Sequence, residues 1–231
     1  MSASIKAATT ATRKNIRGTK DYRIYFINFN LPSVPDLSAI RIHGRPIRVV
    51  DHGTAKAERA FGKLMAAFKD NSFCGDVGSY AAEILREEHG HPDFAVYLQS
   101  KKGKEGKEGK ESKEMLGAAI CMQVWHEDYT NSDYPRDPES LYIEVLCGSK
   151  KIKGAGSVLT DVLNAIAVEL GRSYLALQAT HDSLPFYMHM GFECDTDKKC
   201  VKPVEVVSFG GGAAAVGGGK RKTRRSRHRG I

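Results

Sequence analysis

LYIEVLCGSKKIKGAGSVLTDVLNAIAVELGRSYLALQ, residues 141–178, is the stretch of sequence that decides the fold. Leu141–Cys147 is a short apolar run typical of a buried strand, and a glycine-rich turn follows it. A helix is predicted over Ala155–Leu170, with Gly171 at its end. One side of that helix is apolar, through Val158, Leu159, Val162, Leu163 and Ile166. Ser173–Ala179 has the composition of a second strand, so a strand–helix–strand crossover and an α/β fold are predicted.

Further strands and helices are predicted on both sides of this unit. Strands are expected at Tyr22–Phe29, Pro46–Val50, Phe94–Leu98, Met115–Trp125 and Cys200–Val207, and a short helix at Leu184–Met190. Thr54 can cap a helix whose apolar stripe is Ala57, Ala60, Phe61, Leu64, Met65 and Phe68. The next helix, near Ser79–Glu88, is expected to bury Tyr80, Ala81, Ile84 and Leu85. Hairpins combined with one crossover predict a mixed, mostly antiparallel central sheet with helices on both faces.

The net charge of +8 is concentrated at the two ends of the chain. Residues 1–20 hold five Lys or Arg and residues 220–231 hold seven, whereas the body between them has 23 basic and 27 acidic residues. We therefore predict a disordered basic segment over 1–20, one domain over 21–208, and a glycine-rich linker with a basic tail over 209–231. The composition of residues 1–20 also fits an organelle transit peptide.

Several classes of protein are disfavoured by composition. No apolar run reaches the ~20 residues that cross a bilayer, so a soluble protein of the cytoplasm or nucleus is expected, without a membrane partner. The five cysteines are scattered without a C-x-x-C motif, so reduced thiols and no zinc or redox motif are predicted. No metal site is expected. Lys101–Glu114 is almost free of apolar residues, which predicts a solvated, mobile insertion between two strands.

The turn at residues 151–157, Lys-Ile-Lys-Gly-Ala-Gly-Ser, has the features of a phosphate site. Glycines let the backbone approach a ligand closely, and the start of the following helix carries a partial positive charge. Lys151 and Lys153 add full positive charges. A side chain at Gly156 would collide with a bound diphosphate. Many α/β proteins use glycine only to turn into a helix, so the turn alone leaves both interpretations open.

A second motif, Phe186-Tyr187-Met188-His189-Met190-Gly191-Phe192, follows the next strand. Together with the K-x-x-G-x-G turn, it resembles the GNAT superfamily of N-acetyltransferases over roughly residues 47–207. That family has Q/R-x-x-G-x-G/A for the CoA diphosphate and F/L-Y-x-x-x-G-F beyond the next strand. The sequence departs from this pattern at Lys151, which lacks the fork of arginine, and at Thr180, where many members have a cofactor-binding Asn.

The resemblance implies a splayed pair of parallel strands, Leu141–Cys147 and Ser173–Ala179, with acetyl-CoA as the co-substrate. Its pantetheine arm would pair with the exposed edge of the first strand, and a backbone N–H near Leu146 or Cys147 would polarise the thioester oxygen. The cofactor-binding residues implied are therefore Leu146, Cys147, Lys151, Lys153, Gly154, Ala155, Gly156, Ser157 and Thr180.

Two catalytic residues are predicted, Tyr187 and Glu144. Tyr187 matches the position that often protonates the departing thiolate, and this role is favoured over a hydroxyl that only binds the sulfur or a carbonyl. Glu144 is the sole charge in its apolar strand, and a buried carboxylate has a raised pKa suited to a base. It could instead form an ion pair, and Glu139 is the reserve. Alternation places Leu141, Ile143, Val145 and Cys147 on one face of the strand. An acyl-Cys147 route is disfavoured, because no base is adjacent.

Charged segments suggest the partners. The loop at 126–139 holds five acids against one arginine, which favours a cationic amine acceptor, either a polyamine-like small molecule or a lysine-rich protein. Residues 220–229 resemble a nuclear-localisation or nucleic-acid-binding tail. We therefore expect an N-acetyltransferase acting on a primary amine by direct attack in a ternary complex. The alternative is a catalytically silent GNAT-like module that binds nucleic acid through this tail.

Overall fold

The computed structural model describes residues 16, 21–51, 53–86, 92–104, 112–122, 139–149 and 152–205. The strands in this part of the chain are β1 (Tyr22–Asn28), β2 (Arg41–Ile42), β3 (Arg45–Val50), β4 (Phe94–Lys104), β5 (Ser112–Met122), β6 (Ser140–Gly148), β7 (Tyr174–Gln178), β8 (Glu193–Cys194) and β9 (Lys199–Pro203). The helices are α1 (Ala55–Phe68), α2 (Asn71–Cys74), α3 (Val77–Ile84), α4 (Ala155–Glu169) and α5 (Leu184–His189). None of these helices is long and apolar enough to span a membrane.

The strands form one mixed sheet in the order β2-β3-β1-β4-β5-β6-β7-β9-β8. Two neighbouring pairs are parallel, β1 with β3 and β6 with β7, and the others are antiparallel. The β6–α4–β7 unit is the crossover predicted from residues 141–178. The predicted fold class, a mixed and mostly antiparallel sheet in an α/β protein, is confirmed.

Helices cover both faces of the sheet and divide the core in two. On one face α4 buries a nearly continuous apolar surface, including Val158, Leu159 and Val162, in what we call the α4-side core. On the other face α1 and α3 form the α1-side core, in which Leu64 and Phe68 are fully buried. Thr54 caps α1 as predicted, because its Oγ1 accepts the Ala57 N–H at 3.1 Å.

A β-bulge in β6 contradicts the predicted strand alternation. Ile120 of β5 pairs with Val145, but the next residue, Cys121, pairs with Ile143, so Glu144 is an extra residue on β6. A bulge of this kind reverses the side-chain alternation beyond it. Leu141 and Ile143 consequently lie in the α4-side core, whereas Val145 and Cys147 lie in the α1-side core.

Several predicted boundaries are also wrong. β4 runs to Lys104 and β5 begins at Ser112, so ordered strand extends into the Lys-Glu-Gly insertion from both sides, because ladder hydrogen bonds do not require apolar side chains. The short elements β2, β8 and α2 were not predicted. Tyr80, expected on the buried side of its helix, is 47% exposed.

Candidate active site

Within the part of the chain that the structure describes, the second half of β6 pairs with a strand on one side only. Ser140–Ile143 pairs with β7 on one edge, but this pairing ends at Ile143 and Leu177, while β6 continues to Gly148. From Val145 to Gly148 the recorded pairing is with β5. We call Glu144–Gly148 the open edge of β6. It forms the splay that was predicted for this strand pair.

The register shows which amides of the open edge face away from β5. Ser149 donates its N–H to the Leu116 carbonyl at 2.9 Å. Backbone groups of a strand alternate in direction with a period of two, so the N–H of Cys147 also faces β5. The N–H groups of Leu146 and Gly148 then point to the unpaired side. Of the two predicted thioester contacts, this geometry favours Leu146 over Cys147.

The start of α4 lies against the end of this strand. Gly154 adopts the left-handed conformation, with φ of 87°, that lets the chain turn into the helix, and its carbonyl accepts the first helical hydrogen bond, from Val158 N–H at 3.0 Å. The N–H groups of Ala155, Gly156 and Ser157 therefore precede Val158, the first residue whose N–H donates within the helix. The first turn contains no acid, so nothing there repels an anion.

The structure adds a packing reason for the glycine at 156. A Cβ there would come within 2.8 Å of Phe186 Cζ and 3.5 Å of Leu146 Cδ2. Gly156 is therefore needed to accommodate the Phe186 ring of α5, whether or not a ligand is bound. Substitution of Gly156 would perturb packing, and it cannot serve as a clean test of phosphate binding.

The remaining predicted phosphate and cofactor residues are placed as follows. Lys153 is exposed, and its carbonyl accepts the Ile16 N–H at 3.0 Å. Lys151 lies outside the described residues. The Ser157 hydroxyl is 3.3 Å from the Met190 sulfur. Thr180 is exposed, and its hydroxyl and N–H both bond to Ser183 Oγ at 2.9 Å in the turn that opens α5.

Tyr187 is buried in the α4-side core, next to the ring that covers Gly156. Its ring contacts Phe186 and Phe192 edge to face, with centroids 5.2 and 5.6 Å apart. Only 7% of the residue is exposed, and burial raises the pKa of its phenol to about 12. The hydroxyl therefore keeps its proton throughout the physiological pH range.

Glu144 occupies the bulge and is half-buried. Burial raises the pKa of its carboxyl, and a hydrogen bond from the Tyr80 hydroxyl opposes that rise. Tyr80 belongs to α3, so the carboxylate accepts this hydrogen bond from the α1-side face of the sheet. Sequence analysis missed this contact, because Tyr80 was assigned to the core by its helical spacing. Glu139, the reserve base, is exposed and lies roughly 16 Å along the strand from Glu144.

Four of the five cysteines are paired, in contrast to the expectation of reduced thiols. Cys147 of the open edge is bonded to Cys74 of α2, and Cys194 is bonded to Cys200. Sequence spacing gave no indication, because 73 residues separate the first pair. The acyl-Cys147 route is not available to a sulfur engaged in this bond. Cys121 is free and buried, and burial raises the pKa of its thiol.

Solved structures similar to this chain include three proteins from different organisms. Gcn5 from Tetrahymena is 12% identical, with 67% of this chain and 92% of that one covered and a TM-score of 0.41. YhbS from Escherichia coli, a GNAT family N-acetyltransferase solved with CoA, is 16% identical over 63% and 76% of the two chains, with a TM-score of 0.42. Ard1 from Thermoplasma volcanium is 12% identical over 64% and 93%, with a TM-score of 0.38. No protein-family model and no curated protein match the chain.

Proposed function

We propose that this chain is an acetyl-CoA-dependent N-acetyltransferase that transfers the acetyl group to a primary amine by direct attack in a ternary complex. The observation that carries the proposal is the open edge of β6. It has no β7 partner beyond Ile143, and it leads within a few residues to the start of α4. The amides of a pantetheine arm are suited to such an edge, which can accept them as an extra strand.

The start of α4 is the proposed diphosphate site. The free N–H groups of Ala155, Gly156 and Ser157 and the partial charge of the helix favour an anion, and Lys151 and Lys153 add their charges. Thr180 stays a proposed contact of the same ligand, because it begins the turn into α5. Acetyl-CoA, when bound, supplies an acetyl group already activated as a thioester.

The Leu146 N–H is the proposed donor to the thioester oxygen. A backbone donor held by a sheet needs no reorganisation when negative charge develops on that oxygen. Cys147 is not the proposed donor, because its own N–H faces β5. Its proposed role is structural, through its position in the strand and its bond to Cys74. Removing one such donor typically costs roughly 100- to 1,000-fold in rate, which makes this position a large contributor.

Glu144 is the proposed base. A free amine with a pKa near 10.4 is mostly protonated at neutral pH and must lose a proton before it can attack. A carboxyl whose pKa is raised by burial is a better proton acceptor than an ordinary glutamate. Glu139 cannot take over from the same position, because it stands at the far end of the strand.

Tyr187 is the proposed acid for the departing thiolate. A thiol has a pKa near 8.5, so its thiolate is basic enough to draw a proton from a nearby donor. Burial and the raised pKa ensure that Tyr187 holds a proton when the thiolate forms. The same hydroxyl could bind the sulfur without transferring a proton, in which case Tyr187→Phe would raise KM and preserve kcat.

The acceptor is proposed to be cationic, a polyamine-like small molecule or a lysine-rich protein. This rests on the acids of residues 126–139, of which the structure describes only Glu139. The nucleic-acid-binding alternative rests on residues 220–229, which lie outside the described residues. Both partners therefore stay predictions from the sequence.

Turnover tests the proposed function. The purified chain would be mixed with acetyl-CoA and a panel of polyamines, aminoglycosides and lysine peptides, and the released thiol would be measured. We expect thiol release that depends on one class of amine and saturates with acetyl-CoA. Calorimetric binding of CoA without turnover on any amine would instead favour the silent module. Absence of CoA binding would overturn the proposal.

A further inference from the structure

Tyr80, a residue of helix α3, contacts Glu144, the proposed base. It lies in the middle of α3, where helical spacing predicts a core residue, yet 47% of it is exposed. Its hydroxyl donates a hydrogen bond to Glu144 Oε1 across 64 residues of sequence. The half-exposed side chain of Tyr80 thus contacts one carboxylate oxygen of Glu144.

The bulge explains why the two residues meet. Val145 and Cys147, which follow Glu144, face the α1-side core to which α3 belongs. A bulge re-aims the side chain at its extra residue, and here it brings the Glu144 carboxylate to the hydroxyl carried by α3. The Cys74–Cys147 bond ties the segment before α3 to the same strand, so β6 and these helices are held together next to the contact.

We propose that Tyr80 is a positioning residue, which fixes the Glu144 carboxylate in one orientation and stabilises its charged form for proton removal from the acceptor amine. This inference rests on the proposed function and assigns a residue to it that the sequence motifs do not contain. One oxygen of Glu144 is engaged by Tyr80, which leaves the second oxygen as the acceptor for the amine proton.

The charges around Glu144 act in known directions. Burial raises the pKa of its carboxyl, and the Tyr80 hydrogen bond lowers it. Cys121, on the neighbouring strand β5, has its own thiol pKa raised by burial and by the charges of Asp93 and Glu144. The sulfurs of Cys74 and Cys147 are bonded and do not titrate. Loss of the Tyr80 hydroxyl should therefore move the pKa of Glu144 upward.

The consequence for rate has a definite sign. The base works only when ionised, so the acidic limb of the kcat/KM profile follows the pKa of Glu144. Tyr80→Phe should shift that limb to higher pH by about one unit, the effect of a hydrogen bond of ~1.4 kcal/mol to a charged group. On the high-pH plateau, where the base is fully ionised, the rate should fall only through the loss of the fixed orientation, and therefore by less than at low pH. A residue that only packs would lower the rate equally at all pH values.

The test combines two measurements on the full chain. Carboxyl-carbon NMR titrations would follow Glu144 in the wild type, in Tyr80→Phe and in Tyr174→Phe, with Glu144→Gln used to identify the resonance. Tyr174 is a matched control, an exposed tyrosine of the same sheet at 37% exposure. The pH profile of kcat/KM would be recorded for the same variants.

We expect the titration and the acidic limb to move upward together in Tyr80→Phe and to stay in place in Tyr174→Phe. An unmoved Glu144 titration in a folded Tyr80→Phe protein would overturn the role of Tyr80 even if turnover is robust. A shifted titration in a chain that never turns over would leave the Tyr80 contact standing and reject the proposed function alone. A uniform loss of rate without a pH shift would reduce Tyr80 to a packing residue.

Discussion

The two halves of β6 differ in which strands pair with their backbone. Ser140–Ile143 has β5 on one edge and β7 on the other, and its apolar side chains enter the α4-side core. Glu144–Gly148 lacks the β7 neighbour, and its buried side chains enter the α1-side core. One extra residue, Glu144, separates a half that pairs with strands on both edges from the open edge, to which we assign the binding of acetyl-CoA.

The bulge coincides with the end of the β7 pairing, reverses the facing of the side chains, and places a carboxylate at the boundary between the two halves. It follows that substitutions in the first half should affect stability, and substitutions in the second half should affect activity.

Removing the charge at the boundary should have the largest effect. Glu144→Gln is expected to lower kcat by roughly 100- to 10,000-fold, the usual contribution of general acid–base catalysis. Because its pKa is raised in the folded state, Glu144 favours folding only below the pKa of the unfolded chain, and that contribution is lost as pH rises through the folded-state value. The neutral glutamine should therefore not lower the free energy of unfolding at pH 7.

Kinetics and thermal unfolding on Glu144→Gln and Glu139→Gln would check this. Loss of turnover in Glu139→Gln, with Glu144→Gln still active, would identify Glu139 as the base. The proposed functional difference between the two halves of β6 would then be wrong.

Tyr187→Phe tests whether the open edge is served by an acid from α5. We expect kcat to fall by a similar factor of roughly 100 to 10,000 if the hydroxyl donates a proton. The acid is active while protonated and is lost as pH rises through its pKa of about 12. Tyr187 should therefore cause no decline of the wild-type rate below about pH 10. A raised KM with kcat preserved in Tyr187→Phe would mean that the hydroxyl only binds.

The first half of the strand should respond in the opposite manner. Leu141 is fully buried, and Leu141→Ala should lower the free energy of unfolding by about 2–5 kcal/mol. The folded fraction should keep the kcat of the wild type, because this half offers no group to the ligand. Urea unfolding and kinetics at low temperature would measure both quantities. A Leu141→Ala protein of near-normal stability with a large loss of kcat would contradict the proposed difference between the two halves of β6.

Ser157 gives a smaller and more selective test of the diphosphate site. Ser157→Glu puts a negative charge in the first turn of α4, which stabilises a helix by ~0.3–1 kcal/mol but repels a diphosphate. We expect acetyl-CoA to bind about tenfold more weakly than to Ser157→Gln, a control of equal size, for a repulsion of ~1.4 kcal/mol. Calorimetry would compare the two. Equal affinities, with the glutamate variant no less stable, would place the phosphates elsewhere.

The regular parts of this molecule could be predicted because they follow periodic patterns. Helix α4 was predicted over Ala155–Leu170 and runs over Ala155–Glu169, and β7 differs from its predicted range by one residue at each end. The predicted apolar side of α4 is buried, and so are the three central residues of β7. The glycine turn was located correctly as well, because its conformation is encoded locally by Gly154.

The site itself was only partly predictable, because its decisive features are not local. A bulge depends on the pairing with the partner strand, so the sequence of β6 alone does not show that Glu144 is the extra residue of a bulge. The Tyr80 contact and the Cys74–Cys147 bond join residues more than 60 positions apart. The need for glycine at 156 was attributed to a ligand, although Phe186 from another helix also requires it.

Hydrogen exchange at single amides of β6 tests the central claim most directly. The claim is that acetyl-CoA pairs with the open edge, using the N–H groups that face away from β5. With saturating acetyl-CoA, NMR should show slower exchange at Leu146 and Gly148, and no comparable change at Cys147, whose N–H faces β5. Bound acetyl-CoA that leaves the exchange of Leu146 and Gly148 unchanged would contradict the account.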